Sequence, residues 1–411
     1  MLNEIDINLL FDIAQVIFLI PFLYLLNQEV FKLFKKRHSF FSFRLMNSLF
    51  FYHLIFGAIY YTYASFNPSD SHRYFQVPQR AGKDWMDFTT TGTGFIDFIS
   101  YPFINYLGFS YEMMMLLFTW IGYLGFVYAY LIFRENIPHT IKVFKKINLL
   151  PLLLFLPNMH FWTASLGKGA PIFLGLMMFA YAVTNYEKRW QGLFLGSLLV
   201  FCIRPHIFLL VSIVAVLGIL FGKKQIEWKK KLVYTGLITG VLLIFRDQIL
   251  GVVNLGGSQN LISDFMAFTD KRADSLGQAS SGIAMNEYSL LEKFFTFWFR
   301  PLFFDAPGFF GVIVSAENLI YLLLVVKLFK RNFFSFIKIA PIKVKMSLLL
   351  FLLSSFAMTF VMSNLGIIIR QKTMIMYFLF FVIYYFMAYE KNTVFKLKQE
   401  VTGRKPLAKA A

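Results

Sequence analysis

Apolar runs long enough to cross a bilayer recur along the whole chain, and nothing constrains its fold more. A transmembrane helix needs roughly 20 apolar residues in succession. Such runs lie roughly at 9–31, 45–64, 112–133, 147–163, 170–186, 190–204, 206–222, 232–249, 309–326, 346–363 and 374–389. Composition agrees: 58% of residues are hydrophobic and only 15% charged, against about a quarter charged in a soluble domain. A transmembrane β-barrel would show shorter alternating segments instead. The expected fold is an all-α, polytopic integral membrane protein of about eleven transmembrane helices, one multi-pass domain over 1–389 with a short basic tail at 390–411. Glu4 and Asp6 precede the first run where a secretory signal would be basic, so that run is expected to be retained as a span.

The net charge of +18 is segregated rather than spread. Segments 32–44, 134–146, 188–189, 223–231, 327–345 and 391–409 hold 28 of the 40 Lys and Arg residues. The alternate connections hold the other 12, together with about 16 of the 22 acids. The positive-inside rule puts the basic set in the cytoplasm. The N-terminus is then outside and the C-terminus cytoplasmic, with a bacterial cytoplasmic membrane as the expected location. Basic loops facing anionic headgroups account for the charge, so membrane lipid is an expected partner and nucleic acid is not.

The same alternation sorts the polar features. The connection 65–111, the turn at Ser165–Lys168, the turn Arg204-Pro205-His206, the connection 250–308 and the turn at Arg370 fall on the outer face. Within 65–111, residues 94–108 are too short and interrupted to span. Phe95, Phe98, Ile99 and Phe103 suit one face of an interfacial helix. Residues 294–304 read as re-entrant or interfacial.

Asp70, in Asp70-Ser71-His72-Arg73-Tyr74, is the first candidate catalytic residue. An acid at a membrane surface can deprotonate an acceptor hydroxyl or bind a metal that holds phosphates. Its plain alternative is a helix cap or an ion pair with Arg73. Arg73 and His72 are supporting candidates. Asp84 and Asp87, three residues apart, can share a helix face as a second acid. Lys168 lies among aromatics and glycines at a helix end, where it suits a lipid phosphate or snorkels to the interface. Arg204 sits in an apolar stretch with no nearby acid. Its planar guanidinium suits phosphate oxygens, and an ion pair with a distant acid is the alternative. His206, Arg300 and Arg370 are further candidate phosphate-binding groups at helix ends. Glu317, near the start of a span, is expected to pair with one of these arginines.

Several chemistries lack their usual evidence. There is no phosphate-cradling Gly-rich ATP loop, HExxH, GxSxG or CxxC pair. The single cysteine, Cys202, permits no intramolecular disulfide.

Three stretches together resemble the GT-C superclass of membrane glycosyltransferases and polysaccharide polymerases of the EpsG and O-antigen type. They are Asp70-Ser71-His72-Arg73-Tyr74, Asn158 to Lys168 (NMHFWTASLGK) and Ile203-Arg204-Pro205-His206. The resemblance implies sugar transfer on the outer face from a polyprenyl-phosphate-linked donor. Asp70 would be the loop acid, and Lys168, Arg204 and Arg370 the phosphate-binding cations. The first loop lacks the Asp-x-Asp or Glu-x-Asp pair of that superclass, so a divalent metal is not indicated. The tail at 390–411 stands where oligosaccharyltransferases of the superclass carry a large soluble domain. Two other functions fit the same hydropathy. A transporter or flippase for a lipid-linked glycan would line a path with charges at mid-membrane. A non-catalytic assembly subunit would match each outer cation with a structural acid.

Overall fold

The computed structural model describes residues 2–80, 82–221, 227–251, 285–306 and 308–402, with isolated positions between 260 and 283. The charged middle of the 250–308 connection, with Asp270, Arg272 and Asp274, lies outside the described residues. So does 403–411 of the basic tail.

Of the described residues 79% are helical. Its helices are α1 (Leu2–Arg37), α2 (Phe43–Phe66), α3 (Asp70–Gln76), α4 (Thr93–Tyr101), α5 (Tyr111–Asn136), α6 (Leu149–Leu154), α7 (Pro157–Thr163), α8 (Gly169–Val183), α9 (Trp190–Ile203), α10 (Pro205–Phe221), α11 (Trp228–Ile244), α12 (Arg246–Gly251), α13 (Leu290–Phe299), α14 (Gly308–Val326), α15 (Arg331–Ile339), α16 (Ile342–Val361) and α17 (Leu365–Thr402). A two-residue hairpin, Lys142–Val143 with Ile147–Asn148, is the only sheet among the described residues.

Five helices are long and apolar enough to cross a membrane: Ala14–Arg37, Tyr111–Asn136, Gly308–Val326, Ile342–Val361 and Leu365–Thr393. Leu149–Thr163, Gly169–Val183, Trp190–Ile203 and Pro205–Phe221 are shorter apolar helices, and the run at 45–64 lies in the 24-residue α2, which is not among the five. The run at 147–163 is the clearest departure from the expected single span. Pro157 has no N–H to donate, and the residue before a proline is driven out of the helical region. Leu156 accordingly takes φ −68° and ψ 123°, and the run becomes α6 and α7. At 190–222 the tight turn is present: α9 ends at Ile203, Arg204 is extended, and α10 starts at Pro205.

α5 is the centre of the packing. Phe118, Phe126 and Phe133 are almost wholly buried along it, and it lies against α8, α2 and α1. Gly122 sets how closely α7 approaches. A Cβ there would stand 2.0 Å from the Thr163 carbonyl oxygen, so no larger residue fits without moving that backbone.

The two ends of this packing differ in chemistry. At the C-terminal end of α5, Arg189 pairs with Glu135, Lys391 bonds the Thr140 carbonyl, and Lys343 bonds Asn136. The N-terminal end of α5 meets α3 through Ser71 Oγ and Tyr111 OH at 2.7 Å. Residues of four of the basic segments, 134–146, 188–189, 327–345 and 391–409, thus meet at one end.

Candidate functional site

α3 is fixed before its functional residues are placed. Ser69 caps it, accepting from the Ser71 N–H, and Tyr60 bonds Ser69. His72 gives one ring nitrogen to hydrogen bonding with the Ala64 carbonyl oxygen and stacks on Tyr111 at 4.9 Å, so it secures the turn. Tyr74 is buried. Asp70, first residue of the helix, is left on the open side, with 61% of its side chain exposed.

Arg370 reaches it from the second turn of α17. Its Nη1 donates to Asp70 Oδ2 at 3.1 Å, and its guanidinium lies 5.7 Å from the Trp162 ring centre. Arg73 does not pair with its neighbour Asp70. It turns to Asp97 on α4, with Nη2 3.4 Å from Oδ2. Lys168, at the N-cap of α8, donates to Thr93 Oγ1 at 2.8 Å. The Gly92 N–H donates to the Cys202 carbonyl oxygen at 2.7 Å, docking the start of α4 on the end of α9. Gly92 has φ +75°, a left-handed conformation glycine adopts without steric penalty. That dock carries Arg204 and His206 into the electrostatic neighbourhood of Lys168.

Asp70, Arg73, Lys168, Arg204, His206 and Arg370, far apart in sequence, therefore gather at one end of the bundle. Positive charge is in excess there. Burial and the facing Arg204 and Arg370 push the Lys168 ammonium down to about 8. Burial raises the Tyr74 phenol, and the Asp70 carboxylate adds to this. Burial also raises the Asp97 carboxyl, opposed by Arg73. Arg204 has no acid within ion-pair distance among the described residues, and its Nε is buried without a hydrogen-bond partner. Among the described residues the ion-pair alternative for Arg204 is thus not present.

Other expected site residues lie elsewhere. The Arg300 guanidinium is held by Asp305 at 2.5 Å and by the Tyr288 hydroxyl at 3.2 Å, because the chain folds an acid back five residues on. Asp84 and Asp87 are exposed and close a short turn on themselves. The Asp84 N–H donates to Asp87 Oδ2 at 2.8 Å, ahead of the 3-10 turn Trp85–Phe88. Among the described residues Glu317 pairs with no arginine. It accepts from the Asn158 N–H at 2.7 Å and from the Tyr321 hydroxyl. The segment at 294–304 contributes α13, which packs on α14 and α16.

Two residues escaped the sequence reading. Lys372 is fully buried and donates to Asn318 Oδ1 at 2.6 Å and to the Arg300 carbonyl at 3.0 Å. It anchors the turn of α17 that carries Arg370. Asp97 is 2% exposed. Its signal was legible: a carboxylate between Phe95-Ile96 and Phe98-Ile99 has no apolar reason to be there. The aromatics of α4 are only half-buried, and its most buried face is Ile96, Asp97 and Ser100.

Among the described residues no group of three His, Cys, Asp or Glu side chains is placed to hold a metal ion. The fold and site define a helical membrane protein with a polar, cation-rich cluster at one end. No family model, curated protein or solved structure matches the chain.

Proposed function

We propose that the chain is an extracytoplasmic glycosyltransferase that moves a sugar or glycan from a polyprenyl-phosphate-linked donor in cell-surface polysaccharide or glycoconjugate assembly. The observation that carries this is Arg204: a partly buried cation whose Nε is buried without a partner, beside Lys168 and Arg370, with no acid within ion-pair distance among the described residues. Such a charge is retained against its desolvation cost when an anion is to be bound. A phosphate ester at headgroup depth supplies that anion.

In the proposed reaction an acceptor hydroxyl attacks the anomeric carbon of the donor. The carbon–oxygen bond to phosphate breaks, and its electron pair leaves on the phosphate. Arg204, Lys168 and Arg370 stabilise that charge, and exposed Asp70 takes the hydroxyl proton. The topology that goes with this proposal has eleven spans, the N-terminus outside and the shorter apolar helices crossing as well. Removing the protein from its cell should make a polyprenyl-linked sugar or glycan accumulate. Loss with no accumulated lipid-linked species would overturn the proposal.

A lipid-linked glycan transporter is the second reading. The fully buried Glu317 and Lys372 favour it, since charges inside a helix bundle are a feature of transport paths. A purified protein that forms a new glycosidic bond decides for transfer, and one that only moves the lipid across the bilayer decides for transport.

A further inference from the structure

The buried face of α4 has polar groups that the proposed transfer reaction does not use. Asp97 binds Arg73 through Oδ2, while Oδ1 is buried with no hydrogen-bond partner among the described residues. One turn on, Ser100 is 0% exposed and its Oγ has no partner either. One turn back, Thr93 takes the Lys168 bond. Across the seam, where Gly92 meets Cys202, His206 Nδ1 is a third buried atom with no partner. Buried polar atoms are nearly always hydrogen-bonded, so three orphans bordering one cationic cluster call for an explanation. They are a carboxylate oxygen, a hydroxyl and an imidazole nitrogen, groups that hydrogen-bond hydroxyls well. The cations Lys168 and Arg204 stand beside them.

We propose that the seam between α4 and the α9–α10 turn is a sugar-hydroxyl subsite, in which Asp97 Oδ1, Ser100 Oγ and His206 Nδ1 bind hydroxyls of a glycosyl phosphate whose phosphate lies on Lys168 and Arg204. This rests on the phosphate-binding role proposed above. The geometry divides the labour. Arg73 turns Asp97 so that one oxygen is left over, and the ammonium of Lys168 sits over Thr93, one turn from that oxygen. Asp97 is paired with Arg73 and feels the Lys168 charge, so it borders the phosphate cations without itself binding the anion. Burial favours the neutral acid here, and a neutral carboxyl hydrogen-bonds a hydroxyl equally well. The ligand class is therefore a phosphorylated sugar, not a phosphate-bearing lipid without one.

The test uses the full chain in lipid nanodiscs, with inorganic phosphate and a set of hexose 1-phosphates as probes. At least one hexose 1-phosphate should bind about 10-fold more tightly than phosphate, the yield of one or two net hydrogen bonds. Asp97→Asn and Ser100→Ala should each remove most of that preference and leave phosphate affinity unchanged. Ser100→Ala, which deletes one oxygen, keeps the test open if Asp97→Asn fails to fold. Equal binding of phosphate and every hexose 1-phosphate by the wild type overturns the subsite while leaving the anion site standing. A preference that survives both substitutions also overturns it, the orphan atoms then being hydrated only. A wild type that binds neither probe overturns the anion site and the subsite together.

Discussion

Arg370 and Asp70 bond at 3.1 Å although 300 positions separate them in the chain. The contact joins the second turn of α17 to the first residue of α3. It belongs to the cation cluster, because Arg370 also faces Arg204 and Lys168. Exposed pairs of this sort contribute only about 0–1 kcal/mol. Asp70→Asn should therefore leave the melting temperature within a few degrees of wild type, while glycan transfer falls by at least about 100-fold if Asp70 takes the proton. A transfer assay on the well-folded variant checks this, and full activity would remove Asp70 from the mechanism.

Arg204 makes the opposite pair of predictions. Its charge is partly buried and, among the described residues, unmatched, so Arg204→Gln should keep or raise thermal stability. Phosphate affinity should fall by roughly 10-fold or more, the loss of one charge-assisted hydrogen bond. Thermal unfolding and phosphate binding, measured on one preparation, separate this from a structural role. A large drop in stability would point to packing instead.

Lys168 gives a pH dependence with two signs. Its folded proton affinity, near 8, lies below the ordinary 10.5. Below 8 it is charged in both the folded and unfolded chain and carries the burial penalty. That penalty is relieved as pH rises from about 8 to 10.5, so Lys168 lends stability with rising pH. Anion binding runs the other way, because it needs the ammonium. Phosphate affinity should weaken as pH passes upward through about 8 and beyond, and Lys168→Met should flatten that stretch of the profile.

Arg300 should behave as a structural residue. Arg300→Ala leaves Asp305 half-buried without its cation, a loss of about 1–3 kcal/mol in stability. Phosphate affinity should be unchanged. A binding defect at unchanged stability would return Arg300 to the site.

Gly122 packs on Thr163 and should matter to the cations. Gly122→Ala places a methyl against the Thr163 carbonyl, and overpacking of this kind costs about 1–3 kcal/mol. Because α7 leads to Lys168, the variant should lose phosphate affinity as well as thermal stability. Both can be followed on one titrated sample.

The sequence alone determined the apolar runs, the separation of basic from mixed connections, and the break at Pro205. These are local properties: hydrophobic length, charge, and a missing backbone N–H act where they stand. They sufficed to pick out Asp70, Lys168, Arg204 and Arg370 as polar groups in an apolar setting. They did not say which charge meets which. Arg300 and Arg370 look alike in sequence, each a cation at a helix end. Asp305 claims the first, and Asp70 only partly holds the second. Asp97 is turned inward where α4 docks through Gly92 on Cys202. Electrostatic partnership and burial depend on distances between segments hundreds of residues apart, and packing around α5 sets those distances.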